Sequence, residues 1–217
     1  MSEVVVGLTD YLLTLECALF AAALMRVDAA SPEIRRFFAG FFLFLALTSL
    51  AGGTYHLWFS GSSSAAANIL WKTTVVALGV AAFAAWAVGA CLLFAQPLRG
   101  RVIKAALAEF CAYAIYAAAV DDRFLVAIAN YIPAVIFLGI AFAVSYRRRP
   151  ASPVISGLLG LAVTGIAAAI QRSGFSLHPN YFNHNATYHL VQAAGLFLIF
   201  LAASFLARTP LQGGLRS

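Results

Sequence analysis

Long runs of apolar residues, separated by short clusters of charged and turn-forming residues, set the plan of the chain. Seven runs, at about 7–25, 37–59, 67–95, 102–120, 123–146, 153–171 and 185–207, match the roughly 20 residues a helix needs to cross the hydrocarbon of a bilayer. Between them stand breakers: Ser31-Pro32-Glu33, Gly61 to Ser64, Gln96-Pro97, Asp121-Asp122 and Arg149-Pro150. Pro133 falls inside the fifth run, where its missing N–H predicts a kink. Seven helices with short connections use up the chain. The expectation is an all-α, integral membrane bundle of seven transmembrane helices forming one domain over 1–217. Glu3 and Asp10 stand where a cleavable signal peptide would be basic, so the first run reads as a permanent helix.

Composition agrees with this reading and charge orients it. The 217 residues are 63% hydrophobic and only 10% charged, which excludes an ordinary soluble domain, whose apolar share is about half. A net charge of +6 would raise nucleic acid as a partner in a soluble chain, but its distribution points to lipid instead. Of the 14 Lys and Arg, 11 occupy one set of connections: Arg26, Arg35, Arg36, Arg99, Arg101, Lys104, Arg147, Arg148, Arg149, Arg208 and Arg216. Only Lys72, Arg123 and Arg172 fall on the other side. The positive-inside rule then puts the amino terminus outside and the carboxyl terminus in the cytoplasm, as expected for a bacterial inner-membrane protein. No nucleic acid is expected as a partner. Cys17, Cys91 and Cys111 lie inside apolar runs without CxxC spacing and read as packing residues.

This topology brings all four histidines to one face. His56 closes the second run, while His178, His184 and His189 belong to the last outer loop, 172–183, and the start of the seventh helix. Asp10 and Glu16 enter from the outer end of the first helix, Ser49 precedes His56 by two helical turns, and Lys72 begins the third helix. Asn185, His189 and Gln192 follow a helical i, i+4, i+7 stripe. Polar groups in lipid are expensive, so each is a functional candidate. The bland alternative is interfacial polarity: His178 before Pro179 reads most simply as a loop residue, and Lys72 beside Trp71 as a snorkelling side chain. Glu109, near the middle of the fourth helix, fits neither account.

Three imidazoles and a water make a catalytic zinc centre, which activates the water and polarises a carbonyl. On that reading His56, His189 and one or both of His184 and His178 are metal ligands. Asp10 relays a proton, Ser49 donates to the oxyanion, and Lys72, Asn185 and Gln192 bind substrate. The expected activity is hydrolysis of a lipid amide or ester at the outer face. Two alternatives stay open. His56 and His189 suit the axial positions of a b-type haem in an electron-transfer protein, and the same polar cluster suits a non-enzymatic ligand-binding or transport protein.

The layout resembles the CREST superfamily of seven-helix membrane proteins, which includes alkaline ceramidases and progestin and adiponectin receptors. His56 matches the family's second-helix histidine, and the stretch from Asn185 to His189 matches its seventh-helix motif. The resemblance implies a zinc site and amidase chemistry. The chain departs from the pattern at three points. Gly52 stands where the family has a serine, Asn185 where it has the first histidine of HxxxH, and its third-helix aspartate has no counterpart. The run from His178 to His189 also resembles uncharacterised bacterial seven-helix proteins.

Overall fold

The computed structural model describes residues 2–178 and 181–210; Pro179 and Arg216 therefore lie outside the described residues. Seven helices form: α1 (Ser2–Met25), α2 (Pro32–Thr54), α3 (Ala65–Leu93), α4 (Leu98–Ala119), α5 (Phe124–Arg148), α6 (Ser152–Ser173) and α7 (His184–Arg208). All seven are long and apolar enough to span a membrane. Their starts follow local chemistry. Pro32 and Pro153 occupy first-turn positions where no N–H is needed, and the Ser64 and Asn183 side chains accept from the N–H groups of Ala67 and Ala186. α6 ends on Gly174 in the left-handed region (φ 72°), which a side chain would strain.

Two local features depart from the apolar pattern. α2 does not stop at Thr54 but continues as a wide π-turn, Tyr55–Phe59, which carries His56. Such turns break the regular hydrogen-bond ladder and recur at functional sites. In the connection between α6 and α7, His178 and Phe182 pair their backbones in both directions, at 3.1 and 2.8 Å. α5 runs through Pro133 as one helix.

Six helices close into a ring in the order α1, α2, α3, α5, α6, α7 and back to α1, while α4 sits outside it against α3. Burial follows from that plan: 72% of an 18-residue apolar stretch of α3 is buried but only 17% of the corresponding stretch of α4. α3 is accordingly dominated by alanine and glycine, which let its neighbours approach. Gly79 receives the ring of Tyr113 and Gly89 the ring of Phe137. α6 and α7 touch through backbone, since a Cβ on Gly160 would stand 2.6 Å from the Gly195 carbonyl oxygen. The core is aromatic, with Phe38, Phe41 and Phe42 of α2 and Phe142 of α5 fully buried. Arg26, Arg35, Arg36, Arg99, Arg101, Arg147 to Arg149 and Arg208 all gather at one end of the bundle.

Candidate functional site

At the opposite end, α1 is pressed against α2 and α7 by residues with little or no side chain. A Cβ on Gly53 would meet the Asp10 Cβ at 2.8 Å and the Gly7 carbonyl oxygen at 3.1 Å, and one on Gly7 would overlap Leu57. This close approach seats Asp10, eight residues into α1 and so about 12 Å from its start, inside the ring. Asp10, Thr9, Thr74, Thr187, His189 and Gln192 are all buried polar residues of this region.

His189 is the hub. Its Nδ1 lies 2.8 Å from the Thr9 hydroxyl, and its Nε2 lies 3.3 Å from Asp10 Oδ1. The Thr9 hydroxyl is also 2.8 Å from the Val6 carbonyl oxygen. A threonine has one proton to give, so these contacts are coupled. If Thr9 donates to Val6, Nδ1–H must donate to Thr9, and Nε2 then faces Asp10 as a lone pair. That contact needs a second proton, carried by the carboxyl or by the ring. If Thr9 turns to donate to Nδ1, Nε2–H donates to a bare carboxylate. The orientation of one hydroxyl thus reads out whether the Asp10–His189 pair holds its proton.

The second carboxylate oxygen, Oδ2, points toward α2 and α3. A Cβ on Gly52 would lie 3.8 Å from Oδ2 and 3.9 Å from the Thr74 hydroxyl, so these two oxygens face the same small space above Gly52. Oδ2 has no hydrogen bond or ion pair among the described residues, which leaves it free to receive one. Nearer the helix ends, His56 Nδ1 meets Glu3 Oε2 at 2.8 Å; both are partly exposed. Two imidazole–carboxyl pairs therefore stand on α1, one at the rim and one inside.

Among the described residues no three His, Cys, Asp or Glu side chains are placed to hold a metal ion. The reasons are local. Both ring nitrogens of His189 are engaged, His178 lies against the Tyr181 ring, and His184 is the first residue of α7, about 140° round the helix from His189. Lys72 donates to the Ala118 carbonyl oxygen at 2.7 Å, tying α3 to the end of α4 and away from Asp10. Asn185 accepts from Gln171 of α6 at 3.2 Å, because the α7 stripe is split between two neighbours. Ser49 is half-buried on α2 and makes no hydrogen bond among the described side chains. Gln192 is buried, one turn further into the bundle than His189.

Thr9, Gly52 and Thr74 were not candidates from sequence. Thr9 sits next to Asp10, and a hydroxyl beside a membrane carboxylate was the available signal. Gly52 and Thr74 carried none, since an ordinary helix pattern hides which neighbour each faces.

Two cavities open at the basic end, one between Ile34, Leu92, Arg148 and Phe205, the other beside Arg26, Asp28 and Arg208. Neither reaches Asp10. No curated protein matches the sequence. A family of unknown function, DUF6962, matches residues 5–208, which takes in most of α1, all of the other six helices, and Asp10 and His189. The chain belongs to that family.

Proposed function

We propose that this is a non-enzymatic membrane protein that binds a proton, together with a small polar ligand or ion, at the Asp10–His189 pair. One observation carries the reading: a buried imidazole with both nitrogens held, one of them by a carboxylate whose other oxygen is unpartnered. A lone charge inside a bilayer is expensive, and the pair is neutral only when it holds one titrating proton. Occupation of the space above Gly52 by a hydrogen-bond donor or a cation changes the cost of each charge state, so ligand and proton binding are linked. The partly exposed Glu3–His56 pair gives protons a stepping place at the end of α1. By the clustering of arginines at the other end, we place this end outside the cytoplasm.

Zinc-dependent lipid hydrolysis draws less support from this arrangement. It needs a free nitrogen on His189 and a third ligand nearby, and Thr9, the hydroxyl on the imidazole, is buried in the first helix. A haem with His56 and His189 as axial ligands meets the same obstacle at His189.

Infrared difference spectroscopy on protein in lipid tests the proposal directly. Between acid and alkaline buffer, wild type is expected to lose a protonated-carboxyl band that Asp10→Asn lacks from the start and His189→Gln moves to a different titration midpoint. A band unchanged by either substitution would remove the basis for the reading.

A further inference from the structure

Glu109 of α4 is a carboxyl that takes no part in the site at Asp10 and His189. It stands 11 residues into the 22-residue α4, at the middle of the span, and it is exposed. Among the described residues neither Glu109 nor Lys104 makes a hydrogen bond or ion pair. A carboxyl at that depth, open to hydrocarbon, is costly without a partner.

The rest of α4 says what kind of partner fits. Its inner face is settled: Ala106, Tyr113 and Ala117 are buried toward α3, with Ile103 and Phe110 packed beside them, and the Tyr113 hydroxyl donates to the Val75 carbonyl oxygen at 2.8 Å. On a helix of 3.6 residues per turn, the face opposite this one carries Ala105, Ala108, Ala112, Ile115 and Ala119. All five are exposed, and the small residues among them let two helix backbones come close in lipid, while Ile115 adds apolar contact. Lys104 flanks the row on one side and Glu109 on the other.

Positions 104 and 109 are separated by five residues, a spacing with a specific meaning. Within one helix it points two side chains about 140° apart, so they cannot pair. Between two parallel helices related by a two-fold axis, it is the offset at which one flank of the seam meets the opposite flank of the partner. Taking Ala105, Ala108, Ala112, Ile115 and Ala119 as the a and d seam makes Lys104 a g position and Glu109 the following e position, the pair that forms interhelical ion pairs in parallel coiled coils. Two-fold symmetry makes the pair twice.

We infer that α4 is the interface of a parallel homodimer in the membrane, with an alanine-rich seam closed on both sides by ion pairs between Lys104 of one copy and Glu109 of the other. The occupant is a second copy because the charge that Glu109 needs is carried, at the matching offset, by this same helix. The same geometry gives α4 a purpose outside the ring: it holds the dimer together while the six-helix ring stays free of the contact.

Single-molecule subunit counting on full-length protein at low density in lipid vesicles tests this. Wild type is expected to show two subunits. Lys104→Glu alone and Glu109→Lys alone should each reduce the count to one, by placing like charges across the seam, and the double variant should restore two. Monomeric wild type, or single variants that stay dimeric, would overturn the inference. Because a charge reversal can impair folding, an Ala112→Cys, Cys111→Ser variant gives an independent reading. A disulfide between copies is expected at that seam position, and its absence under oxidation, or cross-linking only to a different protein in native membranes, would overturn it as well.

Discussion

At the scale of single residues, the site rests on two adjacent glycines that have different jobs. Gly53 is needed for fit: a Cβ there would stand 2.8 Å from the Asp10 Cβ and 3.1 Å from a carbonyl oxygen of α1, and backbone cannot move aside cheaply. Gly53→Ala is therefore expected to destabilise the protein by about 1–3 kcal/mol, the usual cost of overpacking, seen as a lower melting temperature in detergent. Gly52 is needed for space. A Cβ there would make only ordinary contacts, at 3.6 Å or more, so Gly52→Ala should fold normally, and its gain in helix propensity offsets any small cost. It fills the gap that Asp10 Oδ2 and the Thr74 hydroxyl face, so it is expected to alter the carboxyl titration without altering the melting temperature. Equal effects of the two substitutions on stability would contradict this division of labour. Sequence reading found Asp10 and His189 because polar residues in apolar runs stand out. It could not pair them, since which face of α1 meets α7 is settled by how six helices close, and for the same reason it could not show that Lys72 turns to Ala118 and Asn185 to Gln171.

At the scale of helices, the tightest joint is between α6 and α7, where Gly160 and Gly195 bring the two backbones together. Such contacts replace the hydrophobic force that is absent between helices in lipid with packing at close range. Gly160→Ala should cost about 1–3 kcal/mol by the overpacking argument, while Gly165→Ala, which meets nothing within 4 Å, should be neutral or slightly stabilising. Thermal unfolding of the two variants side by side gives the comparison. Because α7 carries His189, loosening this joint should also broaden the titration at Asp10. The π-turn at Tyr55–Phe59 belongs to this scale too: it keeps α2 helical past the Gly52-Gly53 contact and carries His56 to Glu3. No composition signal marked it, because one extra residue in a turn leaves the apolar pattern intact.

At the scale of the whole molecule, two properties matter: a basic end and a polar-paired end separated by the length of the bundle, and one helix outside the ring. The charge asymmetry predicts that Ser63→Cys, in the connection between α2 and α3, reacts with a membrane-impermeant thiol reagent from outside intact cells, whereas Arg101→Cys reacts only after the membrane is opened. The reverse pattern would turn the site toward the cytoplasm and with it the direction from which ligand arrives. If α4 pairs two copies, the two sites lie in separate rings and any coupling between them must pass through α3, the most buried helix.

The sequence by itself determined that this chain forms seven helices long and apolar enough to cross a membrane, where those helices lie to within about five residues, and which end carries the arginines. These follow from local quantities: apolar length against bilayer thickness, turn chemistry, and the count of charges in each connection. Tertiary structure alone decided that α4 stands outside a six-helix ring, that Asp10 meets His189 and Thr9, that Gly52 lies beside Asp10 and Thr74, and that His56 meets Glu3. These depend on rotation of each helix about its own axis. In a chain that is apolar on nearly every face, the hydrophobic pattern leaves that rotation open, and only side-chain packing between helices fixes it.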